Sequence, residues 1–252
     1  MNLNPLKILK KIKNAKRYFQ YLREYRKFNE ALFHDKGEKL KWSDRKIILG
    51  ENTSVTKFDA HYVYHPAWAA RIVAKTKPEI HFDISSTLHF CSIVSAFAPV
   101  RFYDFRPVHL NLSNLSSEKA DLLALPFKDG SVTSLSCMHT IEHLGLGRYG
   151  DPIEPNSDKK AADELKRVLA ARGNLLIVVP VGKPKIMFNA HKIYSYEQVT
   201  ALFSDLKLQE FCLIPDNAAL TGIIYNADPK LVEKQKYGCG CFWFIKSNND
   251  NS

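Results

Sequence analysis

The run Asn174-Leu-Leu-Ile-Val-Val-Pro180 decides the fold, because it contains five consecutive apolar side chains and no charge. Such a run is typical of a strand that is buried on both faces of a parallel sheet. Other strands and helices alternate with it along the chain. We predict strands at residues 80–84, 100–105, 120–125, 132–138, 206–214 and 241–245, an extended segment at 62–66, and helices at 67–75, 89–98, 158–170 and 195–203. This order predicts an α/β fold with a mostly parallel seven-stranded sheet and an antiparallel edge strand.

Two of these helix ends are assigned from single residues. Pro66 is placed in the first turn of its helix, where its missing N–H leaves no bond unmade. Gly173 is placed at the end of the helix that begins near residue 158, as a left-handed C-cap.

Length and charge divide the chain into parts. With 252 residues, one large domain with a short appendage is expected. We assign residues 1–36 to a basic helical arm, 37–246 to the α/β domain and 247–252 to a disordered tail. Residues 1–29 carry nine Lys or Arg against one acid, so most of the net charge of +10 belongs to the arm.

The arm has an apolar face at helical spacing, formed by Leu9, Ile12, Ala15, Phe19, Leu22 and Tyr25. This face is suited to packing on its own domain or on a partner chain, a second copy in a homodimer included. The alternative is that the helix lies on an anionic membrane surface. The rest of the chain offers no second basic patch, which argues against nucleic acid as a partner.

Cysteine usage and hydropathy indicate the compartment. The five cysteines are an odd number and are scattered, as in a reduced intracellular protein. The N-terminus lacks the apolar core of a secretory signal, and no segment approaches the roughly 20 apolar residues of a membrane span. We expect a cytoplasmic protein, peripheral at the inner membrane if the arm binds lipid.

Three acids stand at predicted strand ends: Asp83, Asp104 and Asp121. In nucleotide-binding α/β units, an acid about 20 residues past the first turn accepts hydrogen bonds from ribose hydroxyls. Asp104 lies 21 residues after Asp83. The spacing therefore predicts a cofactor of nucleoside type at this edge of the sheet.

The acids, the segments 120–131 and 141–143, and the helix, glycine and strand of residues 164–180 resemble the class I methyltransferases, which use S-adenosylmethionine. A narrower resemblance covers residues 40–215 and is to an uncharacterised bacterial family of unknown function with a methyltransferase-like fold. Its members are often linked with surface-polysaccharide biosynthesis. The narrower resemblance is carried by residues 58–71, 104–107, 142–152, 180–182 and 188–191.

The resemblance implies a Rossmann-like methyltransferase fold with an N-terminal helical extension, and S-adenosylmethionine as cofactor. It implies that Asp104 binds the ribose and that Asp121 and Leu122 meet the adenine. The cofactor's amino-acid moiety would face Asp83, Ser85 and Ser86, and Ser136 would border the transferred methyl group. The chain departs from the methyltransferase pattern at residues 83–89, which contain no glycine, so close backbone approach depends on the serines.

The candidate catalytic residues are His139, Glu142 and His143, in the loop after the predicted strand 132–138. A histidine titrates near neutral pH and can deprotonate an acceptor hydroxyl. His139 is the preferred base and Glu142 its orienting partner. The alternative is that either histidine is buried and hydrogen-bonded for structural reasons alone.

The same residues also match H-x-x-E-H, the pattern of an inverted zinc peptidase. That site needs a longer helix than Gly145 and Gly147 allow, and Cys239-Gly-Cys241 is too closely spaced and too isolated to form half of a zinc site. We therefore predict no metal site.

The remaining candidates would bind the acceptor: His61, Tyr64, Arg148, Tyr149, Asp151, Asn189 and His191. Arg148 is suited to clamping a phosphate or carboxylate, or to an internal salt bridge with Asp151. The predicted function is methyl transfer from S-adenosylmethionine to a hydroxyl of a small molecule, a sugar or a glycan precursor in surface-polysaccharide biosynthesis. The alternative is a catalytically inactive scaffold or binding protein that kept the fold.

Overall fold

The computed structural model of the protein describes the backbone of residues 5–248 and the side chains of residues 14–248. The chain forms two compact units, Met1–Lys57 and Phe58–Ser252. Of the predicted tail at 247–252, residues 249–252 lie outside the described part of the chain. None of the described helices is long and apolar enough to cross a membrane.

The helices and strands follow in chain order. The helices are α1 (Pro5–Lys36), α2 (Ala60–Thr76), α3 (Leu88–Val94), α4 (Ser157–Val168), α5 (Tyr196–Leu202) and α6 (Ala218–Thr221). The strands are β1 (His81–Ile84), β2 (Val100–Asp104), β3 (Leu115–Lys119), β4 (Val132–Met138), β5 (Leu169–Val181), β6 (Lys185–Met187), β7 (His191–Ile193), β8 (Lys207–Ile214) and β9 (Gly238–Ile245). Short 3-10 turns lie at Trp42–Asp44, Ile141–His143 and Pro229–Lys234.

In the N-terminal unit, residues after α1 return along the helix. The Leu40 N–H donates to Asn29 Oδ1 (2.7 Å), and the Tyr25 hydroxyl donates to the Leu40 carbonyl (3.2 Å). The Tyr25 ring also meets Trp42 edge-on, with the centroids 5.2 Å apart. The returning segment therefore covers one stripe of the helix.

The covered stripe of α1 differs from the predicted apolar face. Leu22 and Tyr25 are half-buried as predicted, but Ala15 and Phe19 are exposed, and Tyr18 and Tyr21 are half-buried instead. The side chains of Leu9 and Ile12 lie outside the described residues. The Tyr18 and Tyr21 rings stack along the helix with their centroids 6.3 Å apart. Spacing alone did not distinguish the two neighbouring stripes.

The Phe58–Ser252 unit is built on one seven-stranded sheet in the order β3-β2-β1-β4-β5-β9-β8. The strands β1 to β5 pair in parallel, whereas β9 is antiparallel to both β5 and β8. This confirms the predicted mostly parallel sheet and its antiparallel edge, in which β9 is the penultimate strand. Side chains from both faces are buried, Leu135 and Ile177 on one and Met138 and Leu176 on the other.

The third strand was placed wrongly at 120–125, because the edge strand β3 reads as polar. Its sequence is Leu-Ser-Ser-Glu-Lys and only Leu115 is buried. Residues 120–125 instead form a tight turn in which the Ala124 N–H donates to the Asp121 carbonyl (3.0 Å). Residues 120–125 are apolar in sequence because the side chains of Leu122 and Leu125 are buried in the core beside this turn.

The segment 62–66 was also predicted wrongly, since it belongs to α2 and not to an extended strand. Asp59 caps this helix by accepting hydrogen bonds from the His61 and Tyr62 N–H groups. Pro66 is inside the helix, where it removes only one intrahelical bond. The consequence is functional, because the first turns of α2 now carry His61, Tyr62 and His65.

The predicted glycine cap after α4 is absent as well. The helix ends at Val168, and β5 begins at Leu169 without a loop. Gly173 lies inside this strand, where a Cβ atom would come within 2.8 Å of the Ala170 carbonyl oxygen. The left-handed residue is Arg172, with φ of 59°.

Arg167 anchors the turn that carries Asp121 to the rest of the unit. Its guanidinium donates to the carbonyls of Leu125 (3.0 Å) and Phe127 (2.9 Å) and forms two bonds with the Glu164 carboxylate, each 2.8 Å. Glu164 in turn accepts from the Leu125 N–H (2.9 Å). This explains the pairing of Glu164 and Arg167 on α4.

Arg167→Lys is expected to lower the midpoint of urea unfolding, because an ammonium cannot match a bidentate carboxylate and two carbonyls at once. Urea unfolding measures the change. The matched control is Arg172→Lys at an exposed position, expected within about 0.5 kcal/mol of the parent. Equal losses in the two variants would contradict the anchoring role.

Candidate active site

A cavity of about 350 Å³ opens at the carboxyl ends of the central strands. It gathers eight of the residues that the sequence singled out, from segments far apart in the chain. They are Ser85, Asp104, Asp121, Leu122, His139, His143, Tyr149 and Asp151. Its volume lies in the range of small-ligand pockets, about 300–1,000 Å³.

Ser85 forms the glycine-free corner of this cavity. Its φ is 55°, in the left-handed region that favours glycine. The Ser85 N–H donates to the Tyr103 carbonyl (2.8 Å), which holds the corner against β2. The loop thus adopts, with serine, the backbone shape for which glycine is the usual residue.

Asp104 stands at the end of β2 with one carboxylate oxygen committed. Its Oδ1 accepts from the Arg106 N–H (2.7 Å), while Oδ2 accepts no hydrogen bond from the described residues. Asp121 similarly uses Oδ1 to accept from the Leu123 N–H (2.9 Å). Both side chains therefore line the cavity with free acceptor capacity.

Asp83 and Ser136 do not line the cavity. They lie beneath it, fully buried, in a hydrogen-bonded chain on neighbouring strands. The Ser136 hydroxyl donates to the Asp83 carboxylate, which also accepts from the Ser86 N–H (3.0 Å). His81 continues the chain, with Nε2 2.9 Å from the Ser136 oxygen.

Burial sets the charge of this chain. It raises the pKa of Asp83 from 3.8 to about 6, even though hydrogen bonds from Ser136 and Ser86 oppose the shift. Burial also lowers the pKa of His81 to about 3, so this ring is neutral at physiological pH.

His139 is held between a carboxylate and a thiol. Its Nδ1 donates to Glu142 Oε1 (2.9 Å), and its Nε2 lies 3.5 Å from Cys239 Sγ. Burial by itself lowers the pKa of His139, but attraction and hydrogen bonding to Cys239 and Glu142 raise it well above its ordinary value. Burial likewise opposes ionisation of Cys239, but hydrogen bonds from Cys241 and His139 and the nearby histidine charge lower its pKa to about 5. The pair is thus polarised toward thiolate and imidazolium.

The first turns of α2 lie directly over His139. The His61 ring is parallel to it at 5.8 Å, the Tyr62 ring stacks at 5.4 Å and the His65 ring meets it at 5.0 Å. The Tyr237 ring in turn stacks on the His61 ring, with the centroids 5.3 Å apart. His139 is therefore enclosed by aromatic rings on the side away from the cavity.

His143 has a different environment. Its Nδ1 lies 2.6 Å from the Ala190 carbonyl, which only accepts, so Nδ1 carries the proton in the neutral ring. Its Nε2 is then a lone pair, 3.9 Å from Glu142 Oε1. His143 therefore has a free ring nitrogen, whereas both ring nitrogens of His139 face a partner, Glu142 or Cys239.

The loop after the 3-10 turn is organised by Asp151. Its carboxylate accepts from the N–H groups of Gly145 (2.8 Å), Gly147 (3.3 Å) and Tyr149 (3.1 Å). It makes no salt bridge with Arg148, whose Nη1 instead donates to the Ala190 carbonyl (3.1 Å). Asp151 is thus committed to the shape of the loop.

Two guanidinium groups meet one aromatic ring at the cavity. Arg106 and Arg148 lie 4.8 and 5.1 Å from the centroid of the Tyr149 ring. Each is placed as a cation over the aromatic face. Arg106 was not predicted as a site residue, although it follows the strand-end acid Asp104 by two positions.

The other predicted acceptor residues are spread around this region. His61, Tyr64, Asn189 and His191 do not line the cavity. His191 packs beside Tyr237 at 4.9 Å, and the buried His191 Nε2 has no partner among the described residues. Cys239, His65 and Tyr237 were missed by the sequence analysis, because each joins the site through contacts between distant segments.

We compared the chain with protein families, with curated proteins and with solved structures. A family model described as a Caenorhabditis protein of unknown function, DUF268, matches residues 129–211, about a third of the chain. That description mentions neither bacteria nor polysaccharides. No curated protein matches the sequence.

Solved structures share the architecture at low identity. The [4+2]-cyclase SpnF matches with a TM-score of 0.51 and 13% identity, covering 72% of this chain and 80% of SpnF. A Bacillus halodurans protein provisionally classed as a methyltransferase matches with a TM-score of 0.50 and 14% identity, covering 73% of this chain and 99% of that one. The N-methyltransferase NodS of Bradyrhizobium japonicum, solved with S-adenosyl-L-homocysteine, matches with a TM-score of 0.47 and 11% identity, covering 72% and 85%. The chain has the Rossmann-like methyltransferase fold.

The raised pKa of Asp83 predicts a pH-dependent stability. Its carboxyl binds its proton more tightly in the folded than in the unfolded chain, so its contribution is complete below about pH 4 and is lost as the pH rises through about 6. Relative to Asp83→Asn, the parent is expected to lose up to about 3 kcal/mol of unfolding free energy between about pH 4 and pH 7. Urea unfolding of both proteins across this range provides the test. A difference that does not change with pH would show that Asp83 is not a buried acid of raised pKa.

Proposed function

We propose that the protein is an S-adenosylmethionine-dependent methyltransferase that acts on a hydroxyl of a sugar or glycan precursor. The observation that supports this is the meeting of Ser85, Asp104, Asp121 and His143 at one cavity of the methyltransferase fold. The link to surface polysaccharides rests on the resemblance of the sequence alone. The activity and the acceptor are both part of the proposal.

The cavity fits the cofactor in the chemistry of its lining. Asp104 Oδ2 is available to accept from the ribose hydroxyls, and Leu122 and Phe105 offer an apolar wall for the adenine. At Ser85 the backbone could approach the cofactor closely, since this residue already has the left-handed conformation that is usual for glycine in such loops. When bound, S-adenosylmethionine supplies a methyl group carried on a positively charged sulfur.

His143 is the base in this proposal, in place of His139. The Nε2 lone pair of His143 accepts the proton of the acceptor hydroxyl, and Glu142 Oε1, 3.9 Å away, stabilises the cation that forms. His139 is unsuited to this step, because its Nδ1 is bound to Glu142 and its Nε2 faces Cys239. Fixing the acceptor beside this nitrogen converts a bimolecular encounter into an oriented one.

The acceptor carries a negative charge in this proposal. Arg106 and Arg148 both lie over the Tyr149 ring, and these two cations would bind a phosphate of the acceptor. This arrangement favours a sugar phosphate or a nucleotide-linked sugar.

Asp104→Asn is expected to weaken S-adenosylmethionine binding by about 10–100-fold, since a charged acceptor is lost from the ribose site. Calorimetry with S-adenosylmethionine and with S-adenosylhomocysteine measures it. The matched control is Asp163→Asn, an exposed aspartate of α4, for which unchanged affinity is expected. Failure of the parent protein to bind either ligand at millimolar concentration would favour the inactive scaffold instead.

His143→Gln is expected to reduce methyl transfer by at least about 100-fold with little change in cofactor affinity, because the proton acceptor is removed. The assay follows radiolabelled methyl groups from S-adenosylmethionine into a panel of nucleotide sugars. His89→Gln, at an exposed position on α3, serves as the control. Full activity in the His143 variant would exclude this residue as the base.

A further inference from the structure

A second cluster shares His139 with the cavity, but its other two members do not line the cavity. It consists of His61 from the start of α2, His139 after β4 and Cys239 from β9, whose ligating atoms all lie within 4.8 Å of one another. His139 and Cys239 are buried, and His61 is half-buried. Neither the proposed methyl transfer nor the resemblance accounts for this arrangement.

We infer that His61, His139 and Cys239 bind a zinc ion. The best-defined edge of the cluster has the right length. Tetrahedral zinc with bonds of about 2.3 Å to sulfur and 2.0–2.1 Å to nitrogen separates two such ligands by about 3.6 Å. The distance from His139 Nε2 to Cys239 Sγ is 3.5 Å.

The orientation of His139 is already that of a metal ligand. Its Nδ1 donates to the buried Glu142 carboxylate, so its other nitrogen faces the thiol. A carboxylate that accepts from the second ring nitrogen is the usual outer partner of a zinc-bound histidine. Zinc binding at Nε2 displaces the proton that this nitrogen otherwise shares with Cys239.

His65 provides an independent observation. It is fully buried, and its Nδ1 donates to the His61 carbonyl (2.7 Å), so Nε2 is a lone pair. This nitrogen has no hydrogen-bond partner among the described residues. The His65 ring lies 5.0 Å from that of His139 but is not one of the three mutually close ligands, so its lone pair would accept from a water bound at the fourth position of the metal.

The donor set selects the metal. One thiolate and two imidazoles suit zinc, whereas magnesium and calcium require oxygen ligands. Three protein ligands with a fourth open position are the pattern of catalytic zinc sites. This cluster is distinct from the H-x-x-E-H pattern of the sequence, because His143 is turned to the Ala190 carbonyl.

The rival explanation is a metal-free nucleophile, with Cys239 activated by His139 and Glu142. Such a thiolate must be reached by its substrate. Cys239 has no exposed surface, which disfavours attack on an external molecule. A buried thiolate is instead well satisfied by a cation.

The test uses the full-length protein, stripped with a chelator and then titrated with Zn²⁺ or Co²⁺. We expect one equivalent of zinc by elemental analysis, and a thiolate-to-cobalt charge-transfer band in the cobalt protein. Cys239→Ser should abolish that band, while Cys212→Ser, at another buried cysteine, should retain it. Glu142→Gln should weaken zinc binding by about 10-fold or more, and His61→Ala by a larger factor.

The control for His61→Ala is His89→Ala, for which unchanged zinc affinity is expected. Circular dichroism of each variant establishes that it is folded. The cobalt spectrum of the parent protein tests the zinc site even if a variant fails to fold. Absence of the charge-transfer band in the parent, or equal zinc binding by the parent and Cys239→Ser, would overturn the inference. Rapid alkylation of Cys239 that excess zinc does not slow would likewise overturn it, in favour of the metal-free pair.

Discussion

The site depends on two residues that are held in the left-handed region of backbone conformation. Ser85 follows β1 and His139 follows β4, and each has φ of 55°. Side chains other than glycine adopt this region at a cost, so the surrounding contacts must hold them there. The Ser85 and His139 N–H groups donate to the Tyr103 and Val178 carbonyls, each at 2.8 Å. Thr140 joins the two loops, because its hydroxyl donates to the Ser85 carbonyl (3.0 Å).

One buried carboxylate gives different roles to two histidines of the same pentapeptide. Glu142 Oε1 lies 2.9 Å from His139 Nδ1 and 3.9 Å from His143 Nε2. The shorter contact fixes the His139 ring with its second nitrogen toward Cys239. The longer one leaves the His143 nitrogen free beside the cavity. An effect of this kind depends on distances of about 1 Å and so has no signature in the spacing of the residues.

Much of the fold was predictable, because burial leaves a plain pattern in the central strands. The strand at 132–138 is almost wholly buried and the run at 174–180 is apolar on both faces, and both were located correctly. The edge strand Leu115–Lys119 was missed, since its exposed face is polar. The helix predicted at 67–75 exists, but its start was placed too late, because the cap at Asp59 compensates for the hydrogen bond that Pro66 removes.

The site was predictable only where it is built from strand ends. Acids after parallel strands must meet at one edge of the sheet, which is why Asp104 was identified and does line the cavity. Asp121 lines it too, although it follows β3 and does not lie in the strand that was predicted at 120–125. Cys239 lies 100 residues from His139 in the chain, and no local pattern connects the two. Because Cys241 lies only two residues away, the sequence analysis considered Cys239 only as part of an isolated Cys-Gly-Cys motif and rejected it as a zinc ligand.

The division between sheet and loops also explains why the fold does not identify the reaction. One side of the cavity, to which we assign the cofactor, is formed by the ends of β1 and β2 and the turn after β3, whereas the side that we assign to the acceptor is formed by loops. Both His143 and Arg148 reach the Ala190 carbonyl, in the turn between β6 and β7. These loop contacts can change without altering the sheet, and SpnF, named for a [4+2] cyclisation, shares the same architecture. Under the proposed function, the acceptor would be selected by the loop of residues 143–151, which lines the cavity, so a change there would alter the substrate while the ends of β1 and β2 remained intact.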